Sequence, residues 1–189
     1  MLTRRLWCAL ASASAAPVAL IGGWTVAASR QPATYDSMRD TISALAAQGA
    51  TDRWIMTAGL AVLGGCHVLT AACLAEAGRP SRGVLALGGV ATLLVAVFAQ
   101  PSAGHVPAAT VGFVALTLWP ALWRAPRRVV GIAVAIMLAV LLIWLGAELD
   151  GGALLGFSER VLAGAQALVP LGLVLAVLRV SSRAGSPRR

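Results

Sequence analysis

The chain has 189 residues, of which 59% are hydrophobic and only 12% are charged, and its mean hydropathy is +0.83. A water-soluble fold of this size cannot bury so much apolar surface, so the composition excludes a soluble enzyme, a disordered chain and a disulfide scaffold. All 15 basic residues are arginine, against seven acids, and the formal net charge is +8. Because the arginines lie between apolar stretches, we interpret the charge as a signal of topology and of lipid contact, and we expect no nucleic-acid partner.

Six apolar segments approach the roughly 20 residues needed to cross a bilayer. They predict an all-α fold in which residues 1–180 form one polytopic membrane bundle of six transmembrane helices. The predicted spans are Leu6–Ala28, Arg53–Glu76, Gly83–Pro101, Pro107–Trp123, Val129–Leu149 and Glu159–Val180. The basic segment 181–189 is predicted to be a disordered tail.

The start of the chain has two interpretations. Residues 1–5, the apolar stretch that follows and the Ala-Ser-Ala run at 11–13 are typical of a signal peptide with a small-residue cleavage site. Cleavage near Ala15 would leave only about a dozen apolar residues, too few to span a membrane. We therefore favour an uncleaved first helix.

The distribution of arginine predicts the orientation of the bundle. With the N-terminus inside, eleven arginines fall in cytoplasmic segments and four fall outside. This bias places both termini in the cytoplasm. The alanine-rich, lysine-free composition is typical of a high-GC bacterial genome, and we expect a multi-pass protein of the bacterial inner (plasma) membrane.

The first outer loop is predicted to contain a short amphipathic helix over residues 36–48, with Gly49 as its stop. Helical periodicity places Met38, Ile42 and Leu45 on the apolar face. The polar face carries Asp36, Arg39, Asp40 and Ser43. Such a helix would lie on the outer membrane surface or fold over the mouth of the bundle.

Further polar residues fall at the same membrane level. His105 flanks the turn between the third and fourth spans, and Glu159 and Arg160 begin the sixth. Gln166 lies at membrane depth, where an unpaired amide is costly, so it should face protein. The candidate outer polar site therefore consists of Asp36, Arg39, Asp40, Ser43, His105, Glu159, Arg160 and Gln166. The alternative is structural: the same residues would serve as helix caps and ion pairs of the loops.

These residues favour a non-enzymatic protein, either structural or interacting with lipids or a partner protein. In this hypothesis Arg39 and Arg160 contact the phosphate of an anionic lipid head group, while Asp36, Asp40 and His105 position them. One alternative is an enzyme at the outer interface, with His105 as base and Asp40 or Glu159 as its partner. A second alternative is a small transporter, which requires a continuous polar path.

The sequence offers no pattern that predicts a cofactor or a metal. We find no phosphate-binding glycine loop and no zinc-protease motif. The cysteines Cys8, Cys66 and Cys73 lie within spans and lack the spacing of metal ligands. We interpret them as buried structural thiols and expect neither a cofactor nor a metal.

Three stretches of the chain resemble domain-of-unknown-function family 998 (DUF998), whose members are bacterial and archaeal membrane proteins with about six helices. The stretches are DTISALAAQGATDRWIM, FAQPSAGHVPAATVGFVALTLWPAL and SERVLAGAQALVPL. The Thr-Ile-Ser motif of the family is matched by residues 41–43, its histidine by His105, and its Glu-Arg pair by Glu159 and Arg160. The resemblance extends from Trp7 to about Arg179 and implies the architecture and the outer polar site.

The chain also departs from the family pattern. Residues 44–46 are Ala-Leu-Ala where relatives often have an acidic residue followed by Leu-Gly. Val169 stands before Pro170 where relatives often have tryptophan. The family carries no assigned chemistry, so the resemblance implies no activity.

Overall fold

The computed structural model describes residues 4–124 and 127–184, and within them every regular element is helical. The helices are α1 Arg4–Ala28, α2 Ile42–Leu45, α3 Trp54–Cys73, α4 Arg79–Val97, α5 His105–Leu118, α6 Arg128–Glu148 and α7 Leu155–Ala184. A 3₁₀ turn at Ala75–Ala77 lies between α3 and α4, and another at Trp119–Leu122 extends α5. Apart from α2, these helices provide six segments long and apolar enough to cross a membrane, as predicted.

The helix ends differ from the predicted spans by up to five residues, and two of the differences have structural consequences. α4 begins at Arg79 because Gly78, at φ 85°, supplies the turn and Pro80 suits a first helical turn. α7 begins at Leu155, so Glu159 lies in its second turn rather than at its start. α7 also continues to Ala184, and residues 185–189 of the predicted tail lie outside the described residues.

The first loop contains a shorter helix than the sequence indicates. Residues 36–40 form turns, in which the Asp36 carboxylate accepts the Met38 N–H at 2.9 Å and the Asp40 carboxylate accepts the Asp36 N–H at 2.8 Å. Aspartates that bond nearby backbone N–H groups favour turns over helix. The helix therefore begins only after Thr41, whose hydroxyl accepts the Ala44 N–H at 3.1 Å.

The two ends of the bundle are distinct. We call the end that carries segments 29–53, 98–104 and 149–154 the loop end, and the end that carries the start of α1 and the end of α7 the terminal end. Each end has its own apolar core. The core at the terminal end includes Leu6, Leu74, Leu85, Trp119 and Val174. The core at the loop end includes Leu20, Ile42, Leu45, Met56 and Ala167, so the short α2 is part of the packed interior.

Five of the spanning helices form a closely packed series. α1 packs against α3 and α7, α3 against α4, and α4 against α5. At the crossing of α3 and α4, a Cβ on Gly64 would lie 2.6 Å from the Gly89 carbonyl oxygen, and one on Gly89 would lie 2.7 Å from that of Gly64. The two glycines thus let the helix backbones touch.

α6 is the least buried of the six spanning helices. It packs against α7 and against the turn at Trp119–Leu122, where Gly131 meets the Pro120 carbonyl with no room for a side chain. These contacts fix α6 to α5 mainly at the terminal end. Toward the loop end a cleft opens between α5 and α6.

Candidate functional site

Glu159 lies inside the loop end of the bundle and is only 5% exposed. The Ile42 N–H donates to its Oε2 at 2.5 Å, and the Ser43 hydroxyl donates to its Oε1 at 3.3 Å. The second turn of α7 is therefore joined to the first turn of α2. This arrangement places a carboxylate within the bundle rather than at its surface.

Arg160, the next residue of α7, holds the preceding loop. Its Nη1 donates to the carbonyl oxygens of Ser37, Asp40 and Gly156, each at 2.8 Å. Its Nη2 donates to the Tyr35 hydroxyl. The approach is close, since a Cβ on Gly156 would overlap the Asp40 carbonyl. Arg160 thus fastens residues 35–40 to α7.

Tyr35 completes this attachment. Burial raises the pKa of its hydroxyl above the ordinary value, although Arg160 opposes that shift. The hydroxyl is therefore protonated at neutral pH. It accepts the Arg160 bond and lies 3.5 Å from the carbonyl oxygens of Asp40 and Thr41.

The remaining charged residues of the predicted site lie on the surface of the loop. The Arg39 Nε and a carboxylate oxygen of Asp36 are 3.8 Å apart, and both side chains are largely exposed. Asp40 turns its carboxylate to the Asp36 N–H. These contacts are the caps and ion pairs expected of a structural loop.

His105 is the first residue of α5 and is 4% exposed. Its Nδ1 lies 2.9 Å from the Phe98 carbonyl oxygen. A carbonyl oxygen only accepts, so we assign the proton of the neutral ring to Nδ1, which leaves Nε2 as an acceptor. Within residues 4–124 and 127–184, Nε2 has no hydrogen-bond partner, and the ring lines the cleft.

The cleft has a volume of about 280 Å³ and lies between α5, α6, α7 and residues 41–43. Its lining contains both polar and apolar residues. The polar part comprises Thr41, Ser43, Gln100, His105 and Glu159, joined along α5 by Thr110. The apolar part includes Phe113, Val114, Leu142, Leu145 and Leu155. Val106 and Leu149, which line it too, are 70% and 65% exposed, so the cleft opens sideways between α5 and α6.

A smaller cavity of about 60 Å³ borders the cleft and shares Glu159, Ser43 and Phe113 with its lining. It reaches Gln166, whose Nε2 donates to the Phe113 carbonyl at 2.9 Å and to the Thr117 hydroxyl at 3.0 Å. Gln166 is 2% exposed, so it faces protein as predicted. A cavity of this size has room for ordered water.

The structure therefore divides the predicted site into three parts. Ser43, His105 and Glu159 line the cleft, and Gln166 lies behind it. Arg160 binds the loop backbone beside the cleft. Asp36, Arg39 and Asp40 do not line the cleft.

The predicted site leaves out three contributors to this region: Tyr35, Thr41 and Gln100. Tyr35 is the single tyrosine of the chain, but no spacing connects it to Arg160. Thr41 could have been included, since it opens the Thr-Ile-Ser motif. Among the described residues, no group of three or more histidines, cysteines or acids is placed to hold a metal ion.

A family model described as a protein of unknown function, DUF998, matches residues 14–176. The chain belongs to this family. No curated protein and no solved structure matches the chain. The segments that carry the resemblance to DUF998 meet at the loop end, where residues 42 and 43 bond Glu159, and His105 lines the same cleft.

Proposed function

We propose that this integral membrane protein interacts with lipids by holding one amphiphilic molecule in the cleft between α5, α6 and α7. The observation that carries the proposal is the mixed lining of the cleft: Ser43, His105 and Glu159 form a polar end near the starts of α2, α5 and α7, and most of the other lining residues are apolar. An amphiphile would place its head group at the polar end. Its chain would follow Phe113 and Leu142 and leave between α5 and α6.

The size of the cleft supports this proposal. Pockets for small molecules have volumes of roughly 300–1,000 Å³ and are mainly apolar, with a few polar groups that orient the ligand. At about 280 Å³, the cleft has room for a head group and the first part of a chain. The rest of the chain would remain in the bilayer, which the sideways opening permits.

The hydrogen bonds of Arg160 concern the hypothesis that Arg39 and Arg160 contact the phosphate of a lipid head group. Its Nη1 donates to three carbonyl oxygens and its Nη2 to Tyr35, which supports a positioning role over direct contact with a phosphate. Arg39 lies on the exposed loop. We therefore place the binding site at Ser43, His105 and Glu159, with Arg160 holding the loop beside it.

We also propose a membrane and an orientation for this site. The arginine bias favours an orientation with the loop end outside and both termini in the cytoplasm. The alanine-rich, lysine-free composition favours a bacterial inner membrane. The cleft would then receive molecules from the outer leaflet. The partners of the protein would be the surrounding membrane lipids.

Native mass spectrometry after release from a mild non-ionic detergent tests the proposal. Gly146 lines the cleft, and no atom lies within 4 Å of the position of a Cβ there. Gly146→Trp therefore places a large side chain at the edge of the cleft, where it should obstruct binding without disturbing the fold. Gly172 has equally open surroundings but does not line the cleft, so Gly172→Trp is the matched control.

We expect a bound amphiphile on the wild type and on Gly172→Trp, and its loss from Gly146→Trp. Bare protein in all three samples would contradict the proposal. An adduct that survives equally in Gly146→Trp would place the lipid elsewhere on the protein.

A second candidate function is an enzyme that acts on a molecule in the same cleft. The Nδ1 of His105 is held by Phe98, which leaves Nε2 as a base at the cleft. If the bound amphiphile is a substrate, its mass should change during incubation of the wild type. His105→Asn should abolish that change, and an unaltered adduct in the wild type would exclude this candidate.

A further inference from the structure

We propose that the head group selected by the cleft is a protonated amine rather than a phosphate. This inference rests on the proposed function and specifies its ligand class. It follows from the charge and the hydrogen-bonding groups at the polar end of the cleft. Charge complementarity and donor-acceptor matching both point to an ammonium.

The side chains that line the cleft suit a cationic ligand rather than an anionic one. Among the described residues that line it, Glu159 is the only acidic side chain, and none is arginine. The nearest arginine in the chain, Arg160, directs its Nη atoms to the carbonyls of residues 37, 40 and 156 and to Tyr35. An ionised Glu159 that is 5% exposed would gain a countercharge from a ligand ammonium.

Glu159 retains capacity for such a ligand. Its carboxylate accepts from the Ile42 N–H and from the Ser43 hydroxyl. Each carboxylate oxygen can accept two hydrogen bonds, so the two existing donors do not saturate it. The cleft and the cavity behind it both border this residue, which keeps it within reach of a molecule in the cleft.

His105 supplies a second acceptor. The bond from its Nδ1–H to the Phe98 carbonyl leaves the lone pair of Nε2 unpaired in a side chain that is 4% exposed. An ammonium has three N–H donors and no acceptor, so it matches Glu159 and His105 together. A phosphate would instead bring acceptors and negative charge toward an acceptor and a carboxylate, which is unfavourable at short range.

The test compares three probes with the same sixteen-carbon chain: hexadecylamine, the monoacylglycerol of palmitic acid, and hexadecyl phosphate. Each is titrated onto delipidated protein in a non-ionic detergent, and the bound fraction is read by native mass spectrometry. We expect the amine to bind most tightly and the phosphate least. A preference of about tenfold or more for the amine over the neutral glycerol head would correspond to about 1.4 kcal/mol.

Two variants identify the groups responsible. Glu159→Gln keeps an oxygen that can accept the Ile42 N–H, so the fold is retained while the charge is lost. We expect it to remove the preference for the amine and to change binding of the glycerol probe by less than about twofold. His105→Asn keeps a donor for the Phe98 carbonyl and removes the Nε2 acceptor. It should therefore weaken the binding of the amine probe and of the glycerol probe.

The outcomes separate this inference from the proposed function. Tightest binding of the phosphate, or an amine preference that persists in Glu159→Gln, would overturn the amine assignment while leaving a lipid cleft in place. Binding of all three probes that is unaffected by Gly146→Trp would overturn the cleft itself. If Glu159→Gln fails to fold, the probe series on wild type and His105→Asn still decides the head-group class.

Discussion

Glu159 and Arg160 are consecutive on α7, yet they serve different parts of the loop end. Successive side chains of a helix diverge by about 100° around its axis. Glu159 therefore points into the bundle toward α2, while Arg160 points to the loop at residues 35–40. One side chain is available to a ligand in the cleft, and the other holds the wall beside it.

Removal of the Arg160 side chain should detach the loop at residues 35–40 from α7. Arg160→Ala leaves three carbonyl oxygens and the Tyr35 hydroxyl without their charged donor. We expect a loss of roughly 2–4 kcal/mol in the free energy of unfolding and faster proteolysis within residues 33–41. Thermal unfolding in detergent and limited proteolysis measure the two effects.

Arg39→Ala is the control for this change. Its exposed pair with Asp36 should contribute at most about 1 kcal/mol. Equal stability of the two variants would contradict the structural role given to Arg160. Loss of bound anionic lipid from Arg160→Ala, with the unfolding temperature unchanged, would instead favour direct contact with a phosphate.

The sequence identifies most residues of this region but not their roles. Ser43, His105, Glu159 and Gln166 are predictable because polar groups near membrane depth must face protein. The role of Arg160 is not, because two of its three carbonyl partners belong to residues 120 or more positions away, and a carbonyl has no sequence signature. Its pairing with Tyr35 is likewise a product of the fold.

Among the elements, α3 and α4 show how small residues determine helix packing. Gly64 and Gly89 each approach the carbonyl of the other, so neither position has room for a methyl group. Gly65, the next residue of α3, faces open space instead. The spacing of the two backbones therefore depends on one side of α3.

We predict that Gly64→Ala destabilises the bundle by about 1–3 kcal/mol, because the added methyl forces α3 and α4 apart. Gly65→Ala should be neutral or slightly stabilising, since alanine favours a helix over glycine. The unfolding temperatures of the two variants in the same detergent provide the comparison. A Gly64→Ala protein as stable as Gly65→Ala would show that the close crossing is absent.

The elements differ in how far the sequence predicts them. The six spanning helices follow from apolar length alone, which a bilayer requires in any context. The loop helix is shorter than its periodicity indicates because the carboxylates of Asp36 and Asp40 bond backbone N–H groups. The divergence of α6 from α5 depends on tertiary contacts at Gly131 and Pro120, and no local pattern encodes it.

For the whole molecule, the six spanning helices place the start of α1 and the end of α7 at one end and the cleft near the other. The predicted orientation exposes the loop end outside the cell.

In a variant without native cysteines, a membrane-impermeant maleimide should label Thr34→Cys in intact cells. It should label Glu76→Cys only after permeabilisation, and the opposite pattern would reverse the proposed orientation.

A continuous polar path across the bundle is not supported by the described residues. The cleft and the cavity that reaches Gln166 lie on the side of the loop end, whereas the terminal end is filled by the core that includes Leu74, Leu85 and Trp119. This arrangement favours a site that holds a molecule over a channel that conducts one. It is also consistent with an amphiphile that enters the cleft from the side, through the opening between α5 and α6.

The central claim is that the cleft between α5, α6 and α7 holds an amphiphile. Native mass spectrometry of the wild type beside Gly146→Trp tests it most directly, because the substitution adds bulk at the edge of the cleft where the Cβ position is open. We predict a discrete adduct on the 19.3 kDa wild-type chain that is absent from Gly146→Trp and retained by Gly172→Trp. A bare wild-type chain, or an adduct that persists in Gly146→Trp, would contradict the claim.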